Sequence, residues 1–457
     1  MRATSMTVRV DTTDFLSDPI GPATVARALV REPGEGRLLW AAYAKASYYD
    51  VPGLEPDGTP RQNTFARGAG KVGDFLSDLL SPARGDDGDG DSPAPPDLIV
   101  WGAGRDCLAH RYVRDISSVG AALRRLWTLT PQRLALHTEV VPVEPEPEPD
   151  HGGGFLAKAA RVGSGLAKLG RDIAEKVSDH RLRFGANVEG EPVALPTLEP
   201  RAEIPRSRIA GFEVAHRGSA PVLRLRLVDG SGVDFLVGMT DRDECEYAVG
   251  LANGEPALRP GARAEWVARL ADKSRGLAER LVRRGEQVLL AATTNLGYVG
   301  VQLGRELRVP HTPLGRVPEL NVGTLRWPRP AVTSQEPNGW LDDPTIAFWA
   351  QADRADRDAV VVADMLSHTR GDARLVLTRD RLVMLAATDL LTAPPDPAPP
   401  LTAVLELPPS RIRGVVAEFA GRSLPPKPLL RIDFTDGSTL RLRDPIAARQ
   451  AAALVGA

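Results

Sequence analysis

The sequence predicts an α+β chain, mainly β, made of two copies of one antiparallel sandwich. Each copy is closed by a C-terminal helix, and the first carries inserted amphipathic helices. Three observations predict this. Four sequence blocks occur twice in the same order. The blocks alternate apolar and polar residues at the period of a strand, or carry the residues of a tight turn. Each copy ends in an Ala-rich apolar stretch. Repeats come first in the reading because each is one structural unit.

The first block is "LVREPGEGRLLWAA" (29–42) against "LVRRGEQVLLAA" (281–292), aligned through LVR, GE and LL. The second is "LTPQRLALH" (129–137) against "LTRDRLVML" (377–385), 248 positions apart. It reads as strand, two-residue turn, strand, with Pro131 and Gln132 at the first tip, and it aligns Arg133 with Arg381. Trp101 and Trp349 each precede this block by 28 positions, which predicts that they share one place in the fold. The third block, "EIPRSRIAG" (203–211) against "ELPPSRIRG" (406–414), aligns Ile209 with Ile412. The fourth is "PVLRLRLVDGSGVDFLV" (221–237) against "PLLRIDFTDGSTLRLRD" (428–444). Leu223, Leu225 and Leu227 alternate with Arg224 and Arg226, the signature of a half-buried strand. Asp229-Gly230 and Asp436-Gly437 follow, a pair that suits a tight hairpin. The closing helices are predicted at 241–253 and 444–457, the second with Pro445 near its first turn.

That order of blocks resembles the bacterial pleckstrin-homology-like and GRAM-like families. The resemblance implies a bent antiparallel sandwich capped at one end by the terminal helix, present here in tandem. It divides the chain into an N-terminal arm (1–27), a first domain (28–252) with insertions 61–96 and 138–200, a linker helix (253–279) and a second domain (280–457). The long segments between the GE strand and "LTxxRL" depart from the family. The basic loop pattern of phosphoinositide-binding relatives is not recognisable there.

Composition bounds the function. At 457 residues the chain exceeds one ordinary domain. Net charge is −2, which argues against nucleic acid as a partner held by bulk charge. Two unclustered cysteines, Cys107 and Cys245, are neither a disulfide framework nor a zinc set, and suit a reducing cytosol. The opening residues show no apolar signal segment, and the uncharged run 287–304 is too polar to span a bilayer. The expected location is the cytoplasm, with peripheral contact to the inner membrane face as the variant.

The halves differ in their insertions. His137 to Glu203 spans 66 positions and Leu385 to Glu406 spans 21. The excess includes the acidic, Pro-rich linker "PVEPEPEPD" (142–150) and then "FLAKAARVGSGLAKLGRDIAEKV" (155–177). Phe155, Ala159, Val162, Leu166, Leu169, Ile173 and Val177 fall on one helical stripe. Lys158, Arg161, Lys168 and Arg171 fall away from it, and Lys176 extends the basic set. Three of the chain's seven lysines lie here. A similar helix is predicted at 65–80, followed by the acidic linker 85–96, but Asp74 and Asp78 counter Arg67 and Lys71. Such stripes suit packing on the protein or a partner. The basic one also suits an anionic membrane surface.

"RGAGKVG" (67–73) lacks the first glycine and the hydroxyl residue of a phosphate loop, and "VGSGL" (162–166) is no nucleophile elbow. The seven histidines show no ligand pairing, and His137 reads as a packed strand residue. Glu35 and Glu286 read as turn or ion-pair residues. Asp353, Asp356 and Asp358 read as a solvated charged loop. Arg208, Arg411, Arg224, Arg226, Arg431, Arg441 and Arg443 form either a basic sheet face or a ladder of paired charges. The expected function is a non-enzymatic binding or adaptor protein with another protein as partner, and with no catalytic residue, cofactor or metal. One alternative recognises anionic lipid through Lys158, Arg161, Lys168, Arg171 and Lys176, with the stripe Phe155, Val162, Leu166, Leu169 and Ile173 in the interface. The other is an enzyme or enzyme subunit with a site between the domains.

Overall fold

The structure is a computed structural model. It describes residues 20–29, 37–44, 46–61, 96–114, 125–140, 183–184, 187–188, 190–254, 272–276, 278–280, 282–292, 297–319, 328–329, 339–368 and 373–455. The predicted helices 65–80 and 155–177 and the linkers 85–95 and 142–150 lie outside these residues.

The chain is mainly β with a few helices. The first half contains α1 (Pro22–Leu29), β1 (Trp40–Ala44), β2 (Ser47–Asp50), β3 (Leu98–Trp101), α2 (Leu108–Val113), β4 (Arg125–Leu129) and β5 (Arg133–Glu139). It continues through β6 (Arg183–Phe184), β7 (Asn187–Val188), β8 (Leu198–Pro205), β9 (Ile209–Arg217), β10 (Ala220–Leu227), β11 (Gly232–Phe235) and α3 (Arg242–Asn253). Its strands make sheets β1-β4-β5-β8 and β2-β3-β11-β10-β9 around a core that both line. Trp40 and Trp127 from one sheet meet Phe235 of the other edge-to-face, at 5.5 and 5.4 Å.

The second half contains β12 (Val288–Ala291), β13 (Tyr298–Leu303), β14 (Glu306–Arg308), β15 (Ile346–Ala352), α4 (Asp358–His368), β16 (Arg374–Thr378), β17 (Leu382–Ala387) and β18 (Leu401–Leu407). It ends with β19 (Ile412–Ala420), β20 (Ser423–Leu424), β21 (Lys427–Phe434), β22 (Thr439–Arg443) and α5 (Ala447–Val455). Its sheets are β12-β16-β17-β18 and β14-β13-β15-β22-β21-β19. Apart from β14 this is the first half's strand order again. Arg133 and Arg381 occupy the same position, as do Ile209 and Ile412.

Two expectations need correction. The sheets are not wholly antiparallel: β2 runs parallel to β3, β13 to β15 and β1 to β20. In the first two cases a long connection separates the strands, as a parallel pair requires. Trp101 also does not overlie Trp349. Trp101 pairs with Gly232, whereas the residue matching Gly232 is Thr439, which pairs with Gln351. The α2 and α4 starts, Leu108 and Asp358, are 250 positions apart while the "LTxxRL" blocks are 248 apart, so the equal tryptophan spacing is a coincidence.

The repeated phrases encode side chains that bond the backbone. In "LTxxRL" the Thr130 hydroxyl accepts from the Arg133 amide at 3.2 Å, and that of Thr378 from the Arg381 amide at 3.1 Å. These bonds close the two-residue turns. The arginine leaving the turn pairs with a glutamate on the next strand, Arg133 with Glu203 and Arg381 with Glu406. Arg381 also binds Glu286, the second half's GE glutamate, at 2.8 Å. The "DGS" turn reaches further. Gly230 and Gly437 take φ of 81° and 87°, a region open to glycine. Asp229 Oδ2 then accepts from the Leu108 amide at 2.7 Å, and Ser231 Oγ from the Ala109 amide at 3.0 Å. Asp436 and Ser438 do the same for Asp358 and Ala359, at 2.7 and 3.1 Å. Each hairpin tip thus caps the start of a helix more than seventy residues earlier in the chain.

The repeat reaches one helix further back than residues 28 and 280. Aligned through "LVR", α1 corresponds to the helical residues 272–276 and 278–279. Ala26 and Ala278 are both buried against the first sheet of their own half.

The halves are joined by strand insertion. Between β9 and β10 the chain turns through Gly218 and Ser219, but between β19 and β21 it makes the longer excursion 421–426. That excursion contains β20, which adds to the outer edge of β1, with the Ala41 amide donating to the Arg422 carbonyl at 2.8 Å. Leu424 and Phe419 thereby enter the first half's core. Asp342 fixes the joint. Its Oδ1 accepts from the amides of Arg422 and Ser423 at 2.5 and 2.8 Å, its Oδ2 meets Arg27 at 2.6 Å, and its carbonyl accepts from the Thr24 hydroxyl at 3.1 Å. Half-buried Arg443 donates to the carbonyls of Ile346, Trp340, Leu341 and Asp343, and so holds the turn that carries Asp342. Asp342→Ala removes an ionic partner of Arg27 and the acceptor of two amides in a site where the Asp342 side chain is 1% exposed. It should lower unfolding free energy by about 3–5 kcal/mol in denaturant titration; a loss below about 1 kcal/mol would contradict this role.

Glu286 supplies a pH test. The Arg381 hydrogen bond holds its carboxyl below the usual glutamate value against the opposing effect of burial, with help from Arg283. A depressed folded value stabilises above the unfolded value and is lost as pH falls through the folded one. Asp229 and Asp436 are also depressed, because hydrogen bonds outweigh their burial, and they add a slope common to all variants. Chemical denaturation between about pH 5 and pH 3 should therefore show a shallower loss of stability in Arg381→Gln than in wild type. Equal slopes would remove the ion pair from the account.

Candidate functional site

Among the described residues, a cleft of about 400 Å³ opens on the outer face of the first half's second sheet. Asp50, Pro52, Trp101, Gly102, Arg217 and Arg224 line it. Strand alternation puts Trp101, Asp234 and Arg224 on one face. Asp234 is fully buried, yet accepts four bonds: from Trp101 Nε1 at 3.0 Å, Arg224 Nε at 2.7 Å, Arg224 Nη2 at 2.9 Å and Arg217 Nε at 2.6 Å. The Arg224 guanidinium lies 5.0 Å over the Trp101 ring. Arg217 reaches on to Asp50 at 2.7 Å. Hydrogen bonding to Asp234 pushes the Arg224 pKa up, against burial.

The Asp234 oxygens are saturated with donors, so the carboxylate is no general base. The two arginines balance the two aspartates. The cluster is also not a demand of the fold, since the second half builds the same strands with Gln351, Arg441 and Ala420 in place of Trp101, Asp234 and Arg217. There Glu418 takes the central role, bound by Arg431 at 3.0 Å and Arg441 at 2.9 Å.

The structure decides among other expectations. The arginine face is a ladder of paired charges: Arg226 meets Glu213 at 3.9 Å and Arg411 meets Asp358 at 3.3 Å, while half-buried Arg443 donates to carbonyls. Arg208 is exposed. Asp353 and Asp356 do sit in a solvated loop, paired with Arg357 and Arg354, but Asp358 is buried at the start of α4. His137 is buried on β5, and burial lowers its pKa, assisted by Arg133. Burial also pushes the Cys245 thiol up to about 12, too high for a nucleophile. The positions Phe155, Lys158, Arg161, Val162, Leu166, Lys168, Leu169, Arg171, Ile173 and Lys176 all lie outside the described residues.

Sequence reasoning missed a buried pair, His311 and Asp364, whose Nε2 and Oδ1 are 2.6 Å apart. Asp364 Oδ2 accepts from the amides of Leu314 and Gly315, which pins the 311–315 segment to α4. Burial would raise the Asp364 pKa, but the His311 and backbone hydrogen bonds bring it below the usual value. Among the described residues, no three metal-ligating side chains converge, and no helix is long and apolar enough to cross a membrane.

Set against protein-family models, curated proteins and solved structures, the chain matches none.

The Asp234 network is open to a direct test. Asp234→Ala leaves two guanidiniums and an indole N–H without their acceptor. Denaturant titration should show a loss of about 3 kcal/mol, with Asp234→Asn intermediate. A neutral Asp234→Ala would mean that the arginines find water as readily as each other's partner.

Proposed function

We propose that this chain is a non-enzymatic scaffold built from two pleckstrin-homology-like domains that bind another protein from a fixed relative orientation. The observation that carries the reading is the insertion of β20 into the first half's sheet and core. A strand shared between duplicated units holds two copies of one binding fold at a set angle, which suits a platform for a partner that spans both. The order of strands supports the domain type. In each half a four-stranded antiparallel sheet, with further strands and a helix inserted after its first strand, passes through a short 3₁₀ turn into a three-stranded meander, and a helix closes it. The neutral, preorganised cleft around Trp101 suits recognition better than turnover.

A second reading rests on the lysine-rich stripe at 155–177, which suits an anionic lipid surface. One experiment separates the two. The intact tagged chain is purified from its own cells, cross-linked, and floated in parallel with vesicles containing anionic lipid. The scaffold reading expects one protein at near-stoichiometric yield, with cross-links on both halves, and no flotation. Flotation that Leu166→Asp and Lys158→Glu/Lys168→Glu both abolish, with the chain otherwise recovered alone, would replace the scaffold with the membrane reading.

A further inference from the structure

We infer that the outer edge of β12 is a second strand-docking site, shut by the side chain of Gln450, and that it fits an extended segment of another protein carrying a branched apolar residue followed by proline. The inference rests on the protein-binding reading above and gives it a surface.

The duplication supplies the argument. Leu290 pairs with Leu377 as Trp40 pairs with Leu129, so Ala291 on β12 is the counterpart of Ala41 on β1. The Ala41 amide donates to a strand, at the Arg422 carbonyl. The Ala291 amide donates to a side chain, Gln450 Oε1, at 3.3 Å. The Ala291 carbonyl accepts from Gln450 Nε2 and from Ser274 Oγ, the latter at 2.9 Å. A primary amide offers one acceptor oxygen and an N–H donor, as one peptide group does. Gln450 therefore makes the two bonds that a neighbouring strand would make, and so satisfies a sheet edge that is buried under the closing helix.

The closing helices mark the same exchange. Cys245, Ala248 and Leu251 pack into the first core as Ala448, Ala451 and Leu454 pack on the second, which puts Gln450 where Tyr247 stands. Tyr247 leaves its edge open and donates from its hydroxyl to the Gly421 carbonyl of the inserted segment at 2.9 Å. The two edges share one design. One holds a strand; the other is filled by the Gln450 side chain of α5, which packs against β12, so a strand reaches that edge only if Gln450 and this end of α5 move outward.

The segment seated in the open groove defines the occupant. It turns at Gly421, offers the Arg422 carbonyl, pairs through Ser423 and Leu424, and sends Leu424 into the core. Pro425 has no N–H and ends the ladder. This chain's own segment is already engaged with β1, so the occupant of β12 is a segment of another protein and not a second copy.

The test uses the intact chain and a synthetic peptide of residues 418–426, with an Asp-for-Leu peptide as control. Hydrogen exchange is followed at residues 288–292 in wild type and Gln450→Ala. Without peptide, the Ala291 amide should exchange faster in Gln450→Ala. The peptide should restore its protection and bind Gln450→Ala roughly tenfold more tightly than wild type; the control peptide should do neither. Where Gln450→Ala does not fold, Gln450→Asn, one methylene too short to span the edge, gives the same readout. A folded variant whose Ala291 exchange ignores millimolar peptide overturns the inference, as does peptide protection at Ala41 alone. A partner recovered from cells alongside either negative result would keep the scaffold and remove this surface.

Discussion

The backbone groups on the open side of an edge strand must find partners, and that constraint organises this protein. The strand that opens each four-stranded sheet has one unpaired side. In the first half, β1 is completed by a strand from 380 residues further along the chain. In the second, β12 is completed by a glutamine side chain. The first solution makes one body of two units, because the segment that pairs carries Leu424, and the end of β19 carries Phe419, into the neighbour's core. Each large apolar side chain buried this way is worth roughly 1.5–3 kcal/mol. Asp342 and α1 then close over the joint, and Arg443 fixes the turn from which Asp342 projects.

Below that level, the two halves are held by the same local devices. Threonine closes the "LTxxRL" turn, and the arginine that follows clamps the next strand. An Asp-Gly-Ser tip caps a helix far away in sequence. These devices need particular atoms: a hydroxyl at one position, a carboxylate at another, a glycine where φ is positive. That need accounts for the survival of the short phrases between halves whose remaining residues differ widely.

The legibility of the fold follows from the same distinction. The "LTxxRL" turns and the closing helices are set by residues within a few positions of one another, so periodicity and turn chemistry revealed them. The pairing of Glu286 with Arg381 was half-visible, as a recurring glutamate without an assigned partner. Asp342, Asp234 and Gln450 were not visible. Asp342 acts on residues about 80 and more than 300 positions away, and Gln450 on one 159 positions away. Asp234 sits in the fully buried strand Gly232–Phe235. A charge there signals a buried network, but the alternation of Arg224 and Arg226 pointed to a basic face or a ladder of paired charges without naming Asp234 as the acceptor. The parallel pairs escaped because a repeat comparison aligns strands without stating their neighbours. The basic stripe from Phe155 to Ile173 lies outside the described residues, and its role rests on the sequence alone.

The central claim is that the two halves fold as one unit because β20 completes the sheet of the first. Calorimetry of the intact chain, beside a variant in which residues 421–426 are replaced by the Gly-Ser turn of the first half, tests it most directly. The account predicts a single transition for the intact chain, with calorimetric and van't Hoff enthalpies in agreement, and two separate transitions for the shortened variant. Two transitions in the intact chain, or one unchanged transition after the replacement, would contradict it.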